Sequence, residues 1–340
     1  MTRQVIGWDV GGVNTKVALV QDGVVREVRS VPFEIQRAPG ELAPLVTRLA
    51  REIGAQPGDP QALTMTAELS QFFRTKRDGV EFVLGAVEQA LPSSPIHVYD
   101  TGGAFRSPAS ARADTLRVAA SNWRATAAIV AMTWPDSILV DTGTTTTDII
   151  PVRGGEIVAE GRTDPERLLT GELVYLGAVR TPVEAIVEQV PLAGGMAAVS
   201  AESFALVGDV HLWRGDIGPA EYEAPTPDGR PTTREAAGER LARIVCADRE
   251  MLDEDAIDQI AEYVATAQVV RIARALDRVR SHQPSISIVV TAGIGAFLAA
   301  RAAARLGLTR VDLARHLGPF AARSAPAAAV ALLLDQWLPA

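Results

Sequence analysis

The sequence predicts an α/β protein of two domains, each built on a mixed sheet, with a cleft between them. Three observations predict it. A short apolar run enters an aspartate and a glycine turn and then returns as a second apolar run in Val5-Ile-Gly-Trp-Asp-Val-Gly-Gly-Val-Asn-Thr-Lys-Val-Ala-Leu-Val20. The same device recurs, with threonines in the turn, in Ser137-Ile-Leu-Val-Asp-Thr-Gly-Thr-Thr-Thr-Thr-Asp-Ile-Ile-Pro-Val152. Later, Ser287-Ile-Val-Val-Thr-Ala-Gly-Ile-Gly295 opens an alanine-rich stretch that Gly307 closes, which is the pattern of a buried strand, a tight turn and a helix.

The elements follow in order. Residues 5–10, 16–20, 24–32 and 62–65 read as strands, with a helix over about 40–54 between the third and fourth. A hairpin followed by βα units suits a mixed sheet of the ribonuclease H type. Helix 78–91, strand 96–99 and a long helix over 110–133 complete a first domain spanning 1–134. The second domain, 135–325, repeats the hairpin from strand 138–141 and continues with a helix near 182–189. From about 190 to 238, Pro219, Pro225, Pro227 and Pro231 interrupt any long helix, so this stretch reads as an irregular insertion. Helices at 234–246 and 253–281, strand 286–291, helix 295–306 and strand 309–313 follow. The apolar helix 326–338 is expected to pack back on the first domain.

Composition narrows the function. The chain has 340 residues, 47% of them hydrophobic and 22% charged, as expected for a globular protein with real cores. The apolar runs at 125–132 and 325–334 are too short for a bilayer, which needs roughly 20 residues, so no membrane partner is expected. A formal net charge of −8 without blocks of lysine or arginine argues against a nucleic-acid partner. One cysteine, Cys246, excludes an internal disulfide, and nothing at Met1-Thr-Arg-Gln resembles a signal peptide, so a cytoplasmic location is expected. The sequence leaves a homodimer open.

The turns suggest an anion site. Glycine lets backbone N–H groups approach an anion closely, and threonine hydroxyls add donors without charge. Gly11, Gly12 and Asn14 in the first turn, Thr142, Gly143, Thr144, Thr145 and Thr146 in the second, and Gly293 and Gly295 in the third are the phosphate-binding candidates. A carboxylate beside a phosphate implies a bridging cation, usually Mg²⁺. Asp9, Asp141 and Asp148 are its candidate ligands, with capping of their own turns as the alternative for the first two. Lys16 is either a phosphate contact or a solvated lysine at a strand edge. Glu68, at the end of a buried strand, is either a helix N-terminal residue or a general base. Cys246 has no neighbouring histidine in the sequence and is expected to be a small buried residue. His97, His211, His282 and His316 lack metal-binding spacing.

The order of hairpin, second hairpin and late strand–glycine–helix resembles the actin, sugar-kinase and Hsp70 superfamily. Within it the chain is similar to the hydantoinase A/oxoprolinase branch, and there to short proteins linked to tetrahydromethanopterin-dependent one-carbon transfer. Besides Gly7–Lys16 and Asp141–Asp148, the match rests on Leu63-Thr-Met-Thr-Ala-Glu-Leu69, Gly171-Glu-Leu-Val-Tyr-Leu-Gly-Ala-Val-Arg-Thr-Pro-Val183 and Cys246-Ala-Asp-Arg-Glu-Met-Leu252.

That resemblance implies two ribonuclease H-like domains and a transferase of methanofuran or methylofuran assembly. Such an enzyme joins an aminomethylfuran-methyl diphosphate to a phenolic tyramine-glutamate acceptor and releases diphosphate. It implies Asp9, Glu68 and Asp141 as catalytic residues, with Glu68 or Asp141 as base, and Trp123, Glu172, Tyr175 and Arg180 as substrate contacts. An ATP-dependent kinase or amide hydrolase, and a non-catalytic nucleotide sensor, remain the alternatives. The superfamily's loops usually serve ATP, and Gly293 to Gly295 would then lie under the adenosine.

Overall fold

The computed structural model describes residues 3–339. Its first sheet has the order β3-β2-β1-β4-β5-β6, where β1 is Gln4–Val10, β2 Asn14–Gln21, β3 Val24–Pro32, β4 Gln61–Met65, β5 Ile96–Tyr99 and β6 Phe105–Arg106. The β1–β2–β3 meander is antiparallel, β4 and β5 run parallel to β1, and β6 turns back antiparallel to β5. The sheet is therefore mixed, as expected from a hairpin followed by βα units.

Period-two alternation decides what each face buries. Ile6, Trp8 and Val10 point to one side, into a core with Leu63, Met65 and the apolar faces of helices Leu42–Glu52 and Lys76–Ala90. The indole of Trp8 donates to Gln61 at 2.8 Å, which removes the cost of burying its N–H. On the other side Val5, Val20 and Ala62 meet helices Asn122–Thr133 and Ala325–Trp337. Gly7 is what lets the latter helix come close, because a β-carbon there would lie 2.1 Å from the Ala327 carbonyl.

The second sheet repeats the plan. Its order is β10-β8-β7-β13-β14, where β7 is Ser137–Thr142, β8 Thr147–Arg153, β9 Glu156–Ile157, β10 Leu173–Val174, β11 Gln189–Leu192, β12 Gly195–Ala198, β13 Ile288–Ala292 and β14 Thr309–Asp312. Thus β7 holds the place of β1, β8 that of β2 and β13 that of β4. The short β9 pairs with β8, and β11–β12 is a separate hairpin. Among the described residues, no helix is long and apolar enough to cross a membrane.

The chain divides into two compact units. One comprises residues up to Leu139, Ile150–Leu169 and the chain from Asp312 on; the other comprises Val140–Ile149 and Thr170–Val311. The first unit therefore takes more of the later sequence than helix 326–338. The extra residues are tied in locally: the Gly155 N–H donates to the Pro135 carbonyl at 2.9 Å, and Ala321 packs with Ala18, Ala327 and Ala328.

Several elements differ from the expected ones. The helix expected over 110–133 is three, Pro108–Ala113, Thr115–Val118 and Asn122–Thr133. Ala120 takes a positive φ of 49°, and the Ser121 hydroxyl donates to the Tyr99 carbonyl, so the chain turns where neither glycine nor proline announces it. The helix expected near 182–189 is a single 3₁₀ turn, Val183–Ala185, after which Ala193 and Gly194, both at positive φ, close the β11–β12 hairpin. The stretch from 190 to 238 is correspondingly less irregular than its prolines suggest, and it also holds helix Val207–Arg214.

Candidate functional site

In the first unit, three short pieces meet at the carboxyl ends of β1 and β4, where sheets of this kind bind ligands. The first is the β1–β2 turn. Gly11 donates to the Asn14 carbonyl at 2.9 Å and closes the hairpin. A β-carbon on Gly11 would meet that carbonyl at 2.8 Å, so the turn admits no side chain there. The carbonyls of Gly12 and Val13 accept from Ile35 and Phe33. With its carbonyls drawn to one side, the turn leaves the N–H groups of Gly12 and Val13 without a hydrogen-bond partner among the described residues.

The second piece is the cross-strand pair Asp9 and Lys16, opposite each other in the β1–β2 register, with the ammonium 3.5 Å from Asp9 Oδ2. Asp9 is 4% exposed, and its Oδ1 is buried with no hydrogen-bond partner among the described residues. Burial pushes the carboxyl above its ordinary range, and Lys16 pulls it back. An orphaned oxygen beside a bank of N–H donors suits a hard cation that also touches phosphate.

The third piece is the 3₁₀ turn Ala67–Leu69 just after β4, which carries Glu68. It lies beside the first: the Thr66 N–H donates to the Val10 carbonyl at 2.9 Å, and a β-carbon on Gly12 would be 3.9 Å from the Ala67 Cα. Glu68 is 1% exposed, and both its carboxylate oxygens are buried without a hydrogen-bond donor among the described residues. Burial drives its pKa up to about 7, against the pull of Lys76, whose ammonium lies 3.5 Å from Oε1. A buried carboxylate whose pKa is raised that far, with one lysine beside it, is equipped to take a proton.

Lys76 was not among the candidates from the sequence. It donates to Asp164 at 2.7 Å, and Asp164 lies 3.8 Å from the Arg167 guanidinium, which stacks on Trp123 at 4.5 Å. One signal was present: the chain has only two lysines, Lys16 and Lys76, and each stands next to a buried carboxylate of this unit. Trp123, an expected substrate contact, is 2% exposed, and Arg167 occupies one of its faces. The exposed ring near Glu68 in the sequence is Phe72, which packs edge-on against Phe73 and Phe82.

The second unit carries the other turn. The Gly143 N–H donates to the Thr146 carbonyl at 2.8 Å, the same closure as Gly11 to Asn14. By that closure Thr142 faces Thr147, and Asp141 faces Asp148, so an acid stands where the first hairpin has Lys16. Ala178 donates to the Gly143 carbonyl, and Val179 and Arg180 both donate to the Thr144 carbonyl, at 2.9, 3.1 and 3.0 Å. Among the described residues, the N–H groups of Thr144, Thr145 and Thr146 and their hydroxyls have no hydrogen-bond partner. Successive N–H donors with two carboxylates at the base of the turn have the chemistry that suits an anion and its cation. Thr142 departs from its expected role: it is fully buried, and its hydroxyl accepts from Thr147 at 3.3 Å.

Gly293 and Gly295 stand where the first unit has the turn after β4, and their lack of side chains serves packing. A β-carbon on Gly293 would lie 2.3 Å from the Thr142 carbonyl oxygen and 2.5 Å from Asp141 Oδ1, and one on Gly295 would lie 2.4 Å from Thr142 Cγ2. Gly295 also donates to the Thr142 carbonyl at 2.8 Å. Glu172 is buried and accepts from the Thr170 hydroxyl, so it belongs to the turn before β10 and presents no carboxylate to solvent. Tyr175 is 60% exposed. Cys246, expected to be buried, is exposed at a positive φ of 59°, because it lies in the turn that ends helix Arg234–Arg243. Among the described residues, no three His, Cys, Asp or Glu side chains gather into a metal-binding group.

Comparison with known proteins gives four matches. The family model described as hydantoinase/oxoprolinase matches residues 59–336. A relative from Methanocaldococcus jannaschii, named (4-{4-[2-(gamma-L-glutamylamino)ethyl]phenoxymethyl}furan-2-yl)methanamine synthase, is 34% identical over 339 residues, covering 99% of each chain. A protein of the same name from Methanococcus vannielii is 38% identical over 124 residues, 36% of this chain and 55% of that one. Among solved structures, a ROK family glucokinase from Streptomyces griseus superposes with a TM-score of 0.52 at 14% identity, covering 98% of this chain and 99% of that one. The last is a likeness of fold alone.

Proposed function

Since the chain belongs to the hydantoinase/oxoprolinase family, and its full-length relative is named for an aryl furylmethyl ether, we propose that it forms the same ether bond. The observation that carries this reading is that end-to-end similarity at 34% identity. The relative's product name describes a phenol oxygen joined to a furan-bound CH₂, with an aminomethyl group elsewhere on the ring and a glutamylaminoethyl arm on the phenol. The simplest route takes an aminomethylfuran-methyl diphosphate and a tyramine-glutamate-type phenol. The phenol oxygen bonds to the furan-bound carbon, the carbon–diphosphate oxygen bond breaks, diphosphate leaves with that electron pair, and the phenolic proton passes to a base. The pathway would be methanofuran or methylofuran assembly for tetrahydromethanopterin-linked one-carbon transfer.

This chemistry asks for three things, and the chain has residues for each. The furan ring delocalises charge at the departing carbon, so the main electrostatic task is to stabilise the leaving diphosphate. In the first unit, Lys16 and the N–H groups of Gly12 and Val13 fit that task; in the second, the N–H groups of Thr144–Thr146 are donors of the same kind. Asp9 in the first unit, and Asp141 with Asp148 in the second, are oxygen donors suited to Mg²⁺, which when bound would neutralise diphosphate charge. Glu68, buried and raised in pKa beside Lys76, is the base for the phenolic proton. Asp141, the other candidate base, stands in a hairpin that holds two acids and no lysine, which fits cation binding better.

The test is to incubate the protein with Mg²⁺, the furanylmethyl diphosphate and the tyramine-glutamate acceptor, following ether and diphosphate by mass spectrometry. Parallel tubes receive ATP in place of the diphosphate donor. Ether formed without ATP supports the transferase. ATP consumed with no ether in any tube moves the protein to a kinase or an ATP-driven hydrolase.

A further inference from the structure

We infer that Lys76 and Asp164 are positioning residues for Glu68: Asp164 holds the Lys76 ammonium by the shorter contact, so the cation stands beside the Glu68 carboxylate at the longer one. The inference rests on the reading of Glu68 as base. Lys76 Nζ is 2.7 Å from Asp164 Oδ2 and 3.5 Å from Glu68 Oε1, and both Glu68 oxygens are buried with no hydrogen-bond donor among the described residues. The ammonium is therefore committed to one carboxylate and merely near the other. An arginine could not be divided in this way, because its planar fork would bridge both acids. The chain otherwise uses arginine as its cation, and of its two lysines one stands here.

The charged groups around Glu68 come from two helices. Helix Lys76–Ala90 contributes Lys76 at its first residue, and helix Asp164–Thr170 contributes Asp164, with Arg167 3.8 Å from Asp164 Oδ1. With Glu68 ionised, two acids face two bases; with Glu68 protonated, the group carries one net positive charge. Lys76 thus favours the ionised form and Asp164 weakens that pull, matching the directions in which the two act on Glu68. The outcome is a carboxylate basic enough to accept a phenolic proton yet not neutralised outright by burial.

Two variants separate this role from a merely structural one. Lys76→Met removes the cation and is expected to move the Glu68 titration to higher pH. Asp164→Asn frees Lys76 to donate to Glu68 and is expected to move it to lower pH. The titration is read directly from the Glu68 side-chain carboxyl resonance in ¹³C-glutamate-labelled protein, and again from the pH profile of kcat for ether formation. Shifts of opposite sign by a pH unit or so in the resonance support the pair. Shifts of the same sign, or none, overturn it. Opposite shifts in the resonance that leave the kcat profile unmoved would keep the pair and remove Glu68 as base. If Lys76→Met does not fold, Lys76→Gln carries the same expectation, and Lys76→Arg is expected not to restore the wild-type titration.

Discussion

Gly177 lies flat against Thr144: a β-carbon on the glycine would come within 2.5 Å of the threonine's carbonyl carbon and oxygen. Gly177 is thus the spacer that lets residues 178–180 reach the Gly143 and Thr144 carbonyls and turn the neighbouring N–H groups outward. Gly177→Ala is expected to cost about 1–3 kcal/mol by overpacking and to weaken diphosphate binding at least tenfold. Chemical denaturation and calorimetric titration with Mg²⁺ and inorganic diphosphate measure the two effects. Unchanged affinity would mean that this turn does not hold the anion.

Asp141→Asn keeps the shape of the side chain and removes its charge. It is expected to abolish ether formation while the far-UV circular dichroism and the melting transition stay near wild type. A fully active Asp141→Asn would sink the assignment of this hairpin to metal and diphosphate.

The base reading makes a pH prediction. Glu68 works only as the carboxylate, and its pKa is raised to about 7, so kcat for ether formation should fall on the acid side with a midpoint near that pH. Glu68→Gln is expected to lose turnover by two or more orders of magnitude, the range in which general bases contribute. An acid limb with its midpoint near the ordinary glutamate value would show that another group takes the proton.

The same carboxylate bears on stability. Its folded pKa of about 7 lies above the ordinary 4.5, so the native state binds more protons than the unfolded chain between these values. The contribution of Glu68 is therefore intact below pH 4.5 and is lost as pH rises through 7. Glu68→Gln escapes that loss. At pH 8.5 it is expected to be more stable than wild type by on the order of 3 kcal/mol, with the gap closing by pH 4.5, as urea unfolding at the two pH values would show. A gap that widens on acidification would contradict the direction of the shift.

What could be read in the sequence was whatever lies within one hairpin or one strand end. Asp9, Gly11 and Lys16 are close in sequence, so the period-two pattern and the turn already place them together, and Glu68 follows directly on a buried strand. Lys76 and Asp164 are 88 residues apart, and no local pattern announces their pairing. The burial of Trp123 under Arg167 is equally hidden, because a sequence shows ring chemistry and not burial. The break at Ala120 was hidden for a similar reason: the positive φ falls on alanine, and the Ser121 bond to Tyr99 that accompanies it is long-range.

The helix Ala325–Trp337 has a consequence for the order of events during synthesis. Arg3, at the edge of β1, hydrogen-bonds the Asp335 carbonyl 332 residues downstream, and Gly7 waits for the same helix. Until the ribosome has made that helix, the face of the first sheet formed by Val5, Val20 and Ala62 is covered only by helix Asn122–Thr133. Most of the second unit, Thr170–Val311, is by contrast one continuous stretch. The first sheet is made early and completed late, and until helix Ala325–Trp337 emerges the nascent chain carries a partly covered apolar sheet face as a liability for aggregation.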